Sequence, residues 1–249
     1  DDAIAGLTTA IMLVPQAMAY AMLAGLEPIV GLYASTIPLA IYALMGSSRQ
    51  LAVGPVAMVS LLVASGIGAL TSDPVTALAM AGLLALIVGV VQLGMGLAKL
   101  GFLVRFLSHP VLAGFTSAAA LIIGLSQLKH VLGVPIERSH HVHEILLQAI
   151  EHVGSIHPLT LGIAAASLVT LVVLKRVAPR FPRFLLVVVG GTAAVWGLGL
   201  HEQGVAIVGD VPAGLPTPTL PALDLDSFQA LLPVGLTIAL VGFMESISV

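Results

Sequence analysis

Cysteine is absent from the 249 residues, and charge is scarce. Without cysteine there are no disulfides, no thiolate metal sites and no cysteine nucleophile; the compartment is left open. Charged residues make up 8% of the chain, against about 25% in a soluble domain. So few charges cannot coat a globule in water. Lipid is the natural solvent for a surface that is 58% apolar. The net charge of −3 provides no basic field for nucleic acid. No P-loop, HExxH or Ser-His-Asp pattern is visible, which argues against an ATPase, a metalloprotease or any other enzyme, and no cofactor is called for.

What is present is glycine, proline and long apolar runs. Twenty-six glycines and fifteen prolines are too many for soluble helices. Membrane helices tolerate them where neighbours satisfy the freed backbone. A spanning helix needs roughly 20 mostly apolar residues. Eight candidates emerge, at 3–24, 29–46, 53–70, 75–97, 104–126, 158–178, 184–200 and 228–249. The third and seventh are short. The chain starts without Met, shows no signal-peptide pattern and stops inside an apolar run, so a piece of a longer polypeptide is expected.

Basic residues give an orientation. With the N-terminus in the cytoplasm, the inner connections hold Arg49, Lys99, Arg105, Lys175, Arg176, Arg180 and Arg183; the outer ones hold only Lys129 and Arg138. The outer loop at 127–157 carries an amphipathic stretch near residues 143–153, which suits an interfacial helix. His140, His143 and Glu144 in that loop have helix-face spacing, but a solvated histidine-rich loop is the better reading, and no metal is expected. The second outer loop, 201–226, has four prolines and should be extended and irregular.

Three places in the spans invite chemistry. Residues 50–53 alternate and read as extended; Gly54-Pro55 then opens a helix to about residue 70. That helix is about 24 Å long, too short for a core about 30 Å thick. It therefore starts inside the membrane, where the free N–H groups and positive dipole end at Val56–Met58 favour an anion. An ordinary kinked helix at Gly-Pro is the alternative. In the first span, Pro15 leaves the Ile11 carbonyl without its partner, and Gln16 and Tyr20 share a face at i, i+4. A polar amide at that depth faces a site or glues two helices. Glu245 is the one carboxylate inside a span, about 22 Å below the outer edge. An ionisable group there is a functional candidate by default and suits a proton carrier; a position near the cytoplasmic face, snorkelling into water, is the alternative. Gly6-Leu7-Thr8-Thr9-Ala10 also repeats faintly as Gly235-Leu236-Thr237-Ile238-Ala239 and sets Gln16 opposite Glu245. With seven spans per unit such a repeat is inverted, a hallmark of secondary transporters.

These segments together resemble one family. Leu13-Val14-Pro15-Gln16-Ala17-Met18-Ala19-Tyr20-Ala21, Gly31-Leu32-Tyr33-Ala34-Ser35 and Gly46-Ser47-Ser48-Arg49-Gln50-Leu51-Ala52-Val53-Gly54-Pro55-Val56-Ala57 closely resemble the signature of the SulP sulfate permeases, which include prestin. Phe243-Met244-Glu245-Ser246-Ile247-Ser248 resembles the family's eighth helix. Glu27 departs from the pattern, where proline is usual. The resemblance implies an all-α polytopic membrane protein with two inverted seven-helix repeats, a core domain, a gate and a following STAS domain. This chain would supply core helices at 1–100, gate helices at 101–200, an outer loop at 201–226 and the start of the eighth helix at 227–249. Carried over by motif, Gln16 and Tyr20 line the anion site, Val56 and Ala57 offer backbone N–H groups, and Glu245 couples protons. The implied partners are a small anion, protons and the bilayer of a plasma or inner membrane, in a homodimer formed through other parts. The implied activity is proton-coupled uptake of sulfate, bicarbonate or a dicarboxylate. An uncoupled exchanger or channel, or a nucleobase carrier of the same fold, is the alternative.

Overall fold

The computed structural model describes residues 2–48, 51–101, 109–136, 142–178, 181–215 and 224–248. Its regular structure is helical: α1 (Asp2–Ala24), α2 (Pro28–Met45), α3 (Ala57–Gly68), α4 (Pro74–Leu97), α5 (His109–Ser126), α6 (Leu128–Leu132), α7 (Val142–Glu151), α8 (Pro158–Val177), α9 (Arg183–Gly197) and α10 (Leu225–Ser248), with a 3-10 turn at Val153–Ser155. Each of the eight expected spans contains a helix. Five are long and apolar enough to cross a membrane: Gly6–Ala24, Pro28–Met45, Pro74–Leu97, Pro158–Val177 and Leu225–Ser246. Their outward surface is apolar too. Leu168, Val169, Val172 and Val173 of α8 all stand exposed, a patch suited to lipid rather than water.

Helix ends follow local chemistry. Proline occupies the first turn of α2, α4 and α8, where its missing N–H costs nothing. Asp73 caps α4 by accepting the Thr76 N–H at 2.8 Å. The expected interfacial stretch is α7, whose Ile145 is buried while Leu146, Leu147 and Ile150 are exposed. Residues 205–215 of the proline-rich loop carry no regular structure. His140 and His141 of the histidine-rich cluster lie outside the described residues.

Contacts divide the chain into two compact units. One comprises residues 1–15 and 116–210. Its core is Val134, Ile136 and Ile145, wrapped by Leu125, Leu128, Leu132, Ala149 and Ile156. The other comprises residues 16–115 and 211–249. Its core is Ile67 of α3, Leu83, Leu84 and Ile87 of α4, and Leu231 and Ile238 of α10.

In the second unit, α10 packs on both α3 and α4. Register can be read from the glycines. A Cβ on Gly235 would meet Ile87 and Leu84, and one on Gly242 would meet Gln92. Both sequences advance together, so α4 and α10 run the same way. The short connection between α3 and α4 returns the chain, so α3 runs against both. Its Gly66 lies against Val234 of α10. Elsewhere in this unit Gly31 of α2 sits directly on the Ala17 carbonyl of α1, and Ala17 is fully buried.

Candidate functional site

The short third helix starts later than its sequence implies. Gly54-Pro55 reads as a helix opening, but residues 51–56 carry no regular structure and α3 begins at Ala57. Proline's fixed φ suits extended backbone as well as a first helical turn, and here the extended form continues through Val56 (φ −126°, ψ 148°). Ser60 N–H donates to the Val56 carbonyl at 3.0 Å, which is the first bond of the helix. The N–H groups of Ala57, Met58 and Val59 thus have no carbonyl one turn back. The N-cap residue, Val56, has an apolar side chain and makes no capping bond of its own. Twelve residues give α3 a length of about 18 Å, shorter still than expected. Arg49 and Gln50, just upstream, lie outside the described residues.

Such a helix start presents three donors and the positive end of a dipole, the ordinary physics of an anion site. Its depth follows from the packing. Ala57 lies roughly 14 Å along α3 before Gly66, at 1.5 Å per residue. Because α3 and α10 run in opposite directions, the same rise from Val234 along α10 reaches the turn at residues 243–245. The start of α3 and Glu245 are therefore at about one level. Glu245 is half-buried there.

On α1 the amide Nε2 of Gln16 donates to the Tyr20 hydroxyl at 3.2 Å, so the expected i, i+4 pair is formed. Gln16 is exposed and Tyr20 partly buried. Between them in sequence, Ala17 is fully buried, its carbonyl against Gly31 of α2. Gln16, Tyr20, Val56, Ala57 and Glu245 all belong to the same compact unit.

One polar residue in this unit was not singled out from the sequence. Gln92 of α4 donates from Nε2 to the Ala239 carbonyl of α10 at 3.3 Å. An amide inside a 24-residue apolar helix is the signal that could have found it.

Comparison with known proteins places this arrangement. The profile of the Sulfate permease family matches residues 1–249. Sulfate transporter 4.1, chloroplastic, of Arabidopsis thaliana is 44% identical over 257 residues, covering 100% of this chain and 37% of the plant protein. The murine Solute Carrier 26 family member A9 anion transporter, in its inward-facing state, superposes with a TM-score of 0.86 at 26% identity, over 96% of this chain and 43% of that one. The transmembrane domain of the cyanobacterium bicarbonate transporter BicA does so with a TM-score of 0.77 at 27% identity, over 95% and 61%. The chain thus spans less than two thirds of the length of each. With a profile match along its whole length and five helices long enough to cross a bilayer, it is a multi-pass membrane protein and belongs to the sulfate permease family.

Proposed function

We propose that the chain forms part of a secondary transporter that carries a small anion of the sulfate, bicarbonate or dicarboxylate class, driven by protons. The observation that carries this reading is the start of α3 after extended backbone, with an apolar residue at its N-cap, level with Glu245 in one compact unit. Backbone N–H groups at Val56 and Ala57 hold the anion from below, and Gln16 and Tyr20 line its other side. Dipoles without a fixed cation bind weakly enough to release, which a carrier needs. Glu245 takes and gives up the coupling proton, so anion and proton cross together. Relatives named as sulfate and bicarbonate transporters support the anion class.

The motion is alternating access. Core helices at 1–100 and 227–249 move against gate helices at 101–200, with 201–226 as an outer loop. The grouping of α3, α4 and α10 apart from α8 and α9 supports this division, while residues 1–15 and 101–115 group across it. The N-terminus is cytoplasmic, in a plasma or inner membrane, and the working protein is a homodimer assembled through parts beyond this chain.

The test is uptake into proteoliposomes of the full-length protein, using labelled sulfate, bicarbonate and succinate with and without an inward proton gradient. One of the three should be taken up faster with the gradient. Glu245→Gln should bring the ratio of gradient-driven to gradient-free uptake down to one while the anion still binds. A mutant that keeps the wild-type ratio removes Glu245 from coupling. Wild-type uptake indifferent to the gradient points to an uncoupled exchanger or channel.

A further inference from the structure

Apart from Thr76 in its first turn, Gln92 is the only side chain of α4 with an amide, hydroxyl or charge. It is partly buried, and its amide bridges to α10 rather than to its own helix. The acceptor is the carbonyl of Ala239, which is fully buried. One turn on, Gly242 leaves the room that the amide occupies, since a Cβ there would stand 2.9 Å from Nε2. Glu245 follows Gly242 by three residues and therefore occupies the neighbouring position on the same side of α10. The turn of α10 pinned by Gln92 is thus the one that leads into Glu245.

We propose that Gln92 is a positioning residue for proton coupling. Its bond to Ala239 across Gly242 fixes the rotation and height of α10, and so the place of the Glu245 carboxyl relative to the start of α3. This rests on the reading of Glu245 as the coupling group. Plain helix–helix adhesion makes a different prediction. It would change how much protein folds but not how each folded molecule couples.

The experiment uses the full-length transporter in proteoliposomes and whichever of labelled sulfate, bicarbonate or succinate the wild type takes up fastest. The readout is the ratio of gradient-driven to gradient-free uptake, which does not depend on the amount of active protein. Gln92→Met keeps the bulk and loses the donor. It should lower that ratio about three- to tenfold, the scale of one interhelical hydrogen bond in a membrane, while the anion KM stays within about twofold of wild type. Gly242→Ala, which displaces the amide, should do the same. The double variant should be no worse than the lower single variant, because both remove one contact. A ratio that Gln92→Met leaves intact overturns the positioning role even if total uptake falls. Additive losses in the double variant overturn it as well. A wild-type ratio of one is separate: it sinks the proton reading of Glu245, and the positioning role with it.

Discussion

The α3–α4–α10 trio and the junction around His157 are held together by different means. The trio relies on close apolar contact: Gly66 against Val234, Gly235 against Ile87 and Leu84, around a core of leucines and isoleucines. Gln92 adds an interhelical bond. The junction is polar and directional. His157 N–H donates to the Leu132 carbonyl at 3.0 Å, and its ring caps α8 by accepting the Thr160 N–H at Nδ1 (3.3 Å). An Nδ1 that accepts from an amide fixes the tautomer, so Nε2–H donates to the Gln203 carbonyl at 3.0 Å. Glycine serves both regions differently. In the trio it only makes room. At the junction Gly133 (φ 66°) and Gly204 (φ 93°) also hold left-handed backbone around the ring. The difference follows the solvent. Between helices in lipid there is no hydrophobic drive, so small residues and van der Waals contact must fix the packing. Where loops meet water, hydrogen bonds and an apolar cluster can do so.

The largest expected effect is at the tightest small-residue contact. In Gly31→Ala the new methyl would occupy the Ala17 carbonyl, and neither backbone can yield as a side chain would. The cost should be about 3 kcal/mol or more, read as a lowered thermal midpoint of the purified full-length protein in detergent. Gly6→Ala on α1 is the matched control. Nothing lies within 4 Å of its Cβ position, so only the helix-propensity gain remains, at most about 1 kcal/mol. Equal effects at the two positions would break the claim that close approach, rather than glycine as such, organises the helix pairs.

A smaller effect belongs to the junction. His157→Ala removes a cap and the bond to Gln203, together about 1–2 kcal/mol. His157→Asn restores an N-cap acceptor without reaching Gln203 and should recover part of the loss. Proteolysis near residues 200–204 should rise in the alanine variant, and more than cleavage of α4 or α10 does. If Asn recovers nothing, the ring holds the junction by bulk and not by hydrogen bonds.

The contrast also explains what the sequence could tell. Long apolar runs announce membrane helices by length, so the five helices long enough to cross a bilayer were legible in place, and the Gln16–Tyr20 spacing translated directly into a bond. The register between helices was not legible. Leu84, Ile87, Leu231 and Val234 look like any other apolar residues, and only the structure shows which of them meet a glycine. The start of α3 was missed by two residues because Gly54-Pro55 fits extended backbone as well as a helix opening. The faint repeat between Gly6 and Gly235 matched in letters but not in surroundings: the first glycine faces open space and the second is packed on α4. The His157 junction was invisible because its partners lie 25 and 46 positions away in sequence, one at the end of α6 and one in a turn, with nothing in their composition to pair them.

Besides the Gln92 bond, the trio uses the junction's polar means at its ends, outside the spans. Asp73 caps α4, accepting the Thr76 hydroxyl at 2.6 Å and the Thr76 N–H at 2.8 Å. Asp224 caps α10 likewise, through the Ser227 N–H at 3.0 Å. The hydroxyl of Thr76, then its backbone N–H, holds the Asp73 carboxyl below its ordinary 3.8. For Asp224 the backbone N–H of Ser227 comes first, then its hydroxyl, in the same direction. A carboxyl depressed in the folded state stabilises the fold fully above 3.8 and stops doing so as pH falls through its lower, folded value. Both caps should therefore weaken only in acid below about pH 4. Both groups are exposed, so the effect is the smallest of the series. Asp73→Asn keeps an acceptor for the Thr76 N–H but has no charge to lose, so its thermal midpoint should fall less than wild type's between pH 5 and pH 3. Asp224→Asn should do the same at α10, and the double variant should flatten the acid limb further. An acid limb unchanged in the double variant would mean that the ends of the trio, like its middle, are held by packing, and the contrast with the His157 junction would then extend along its whole length.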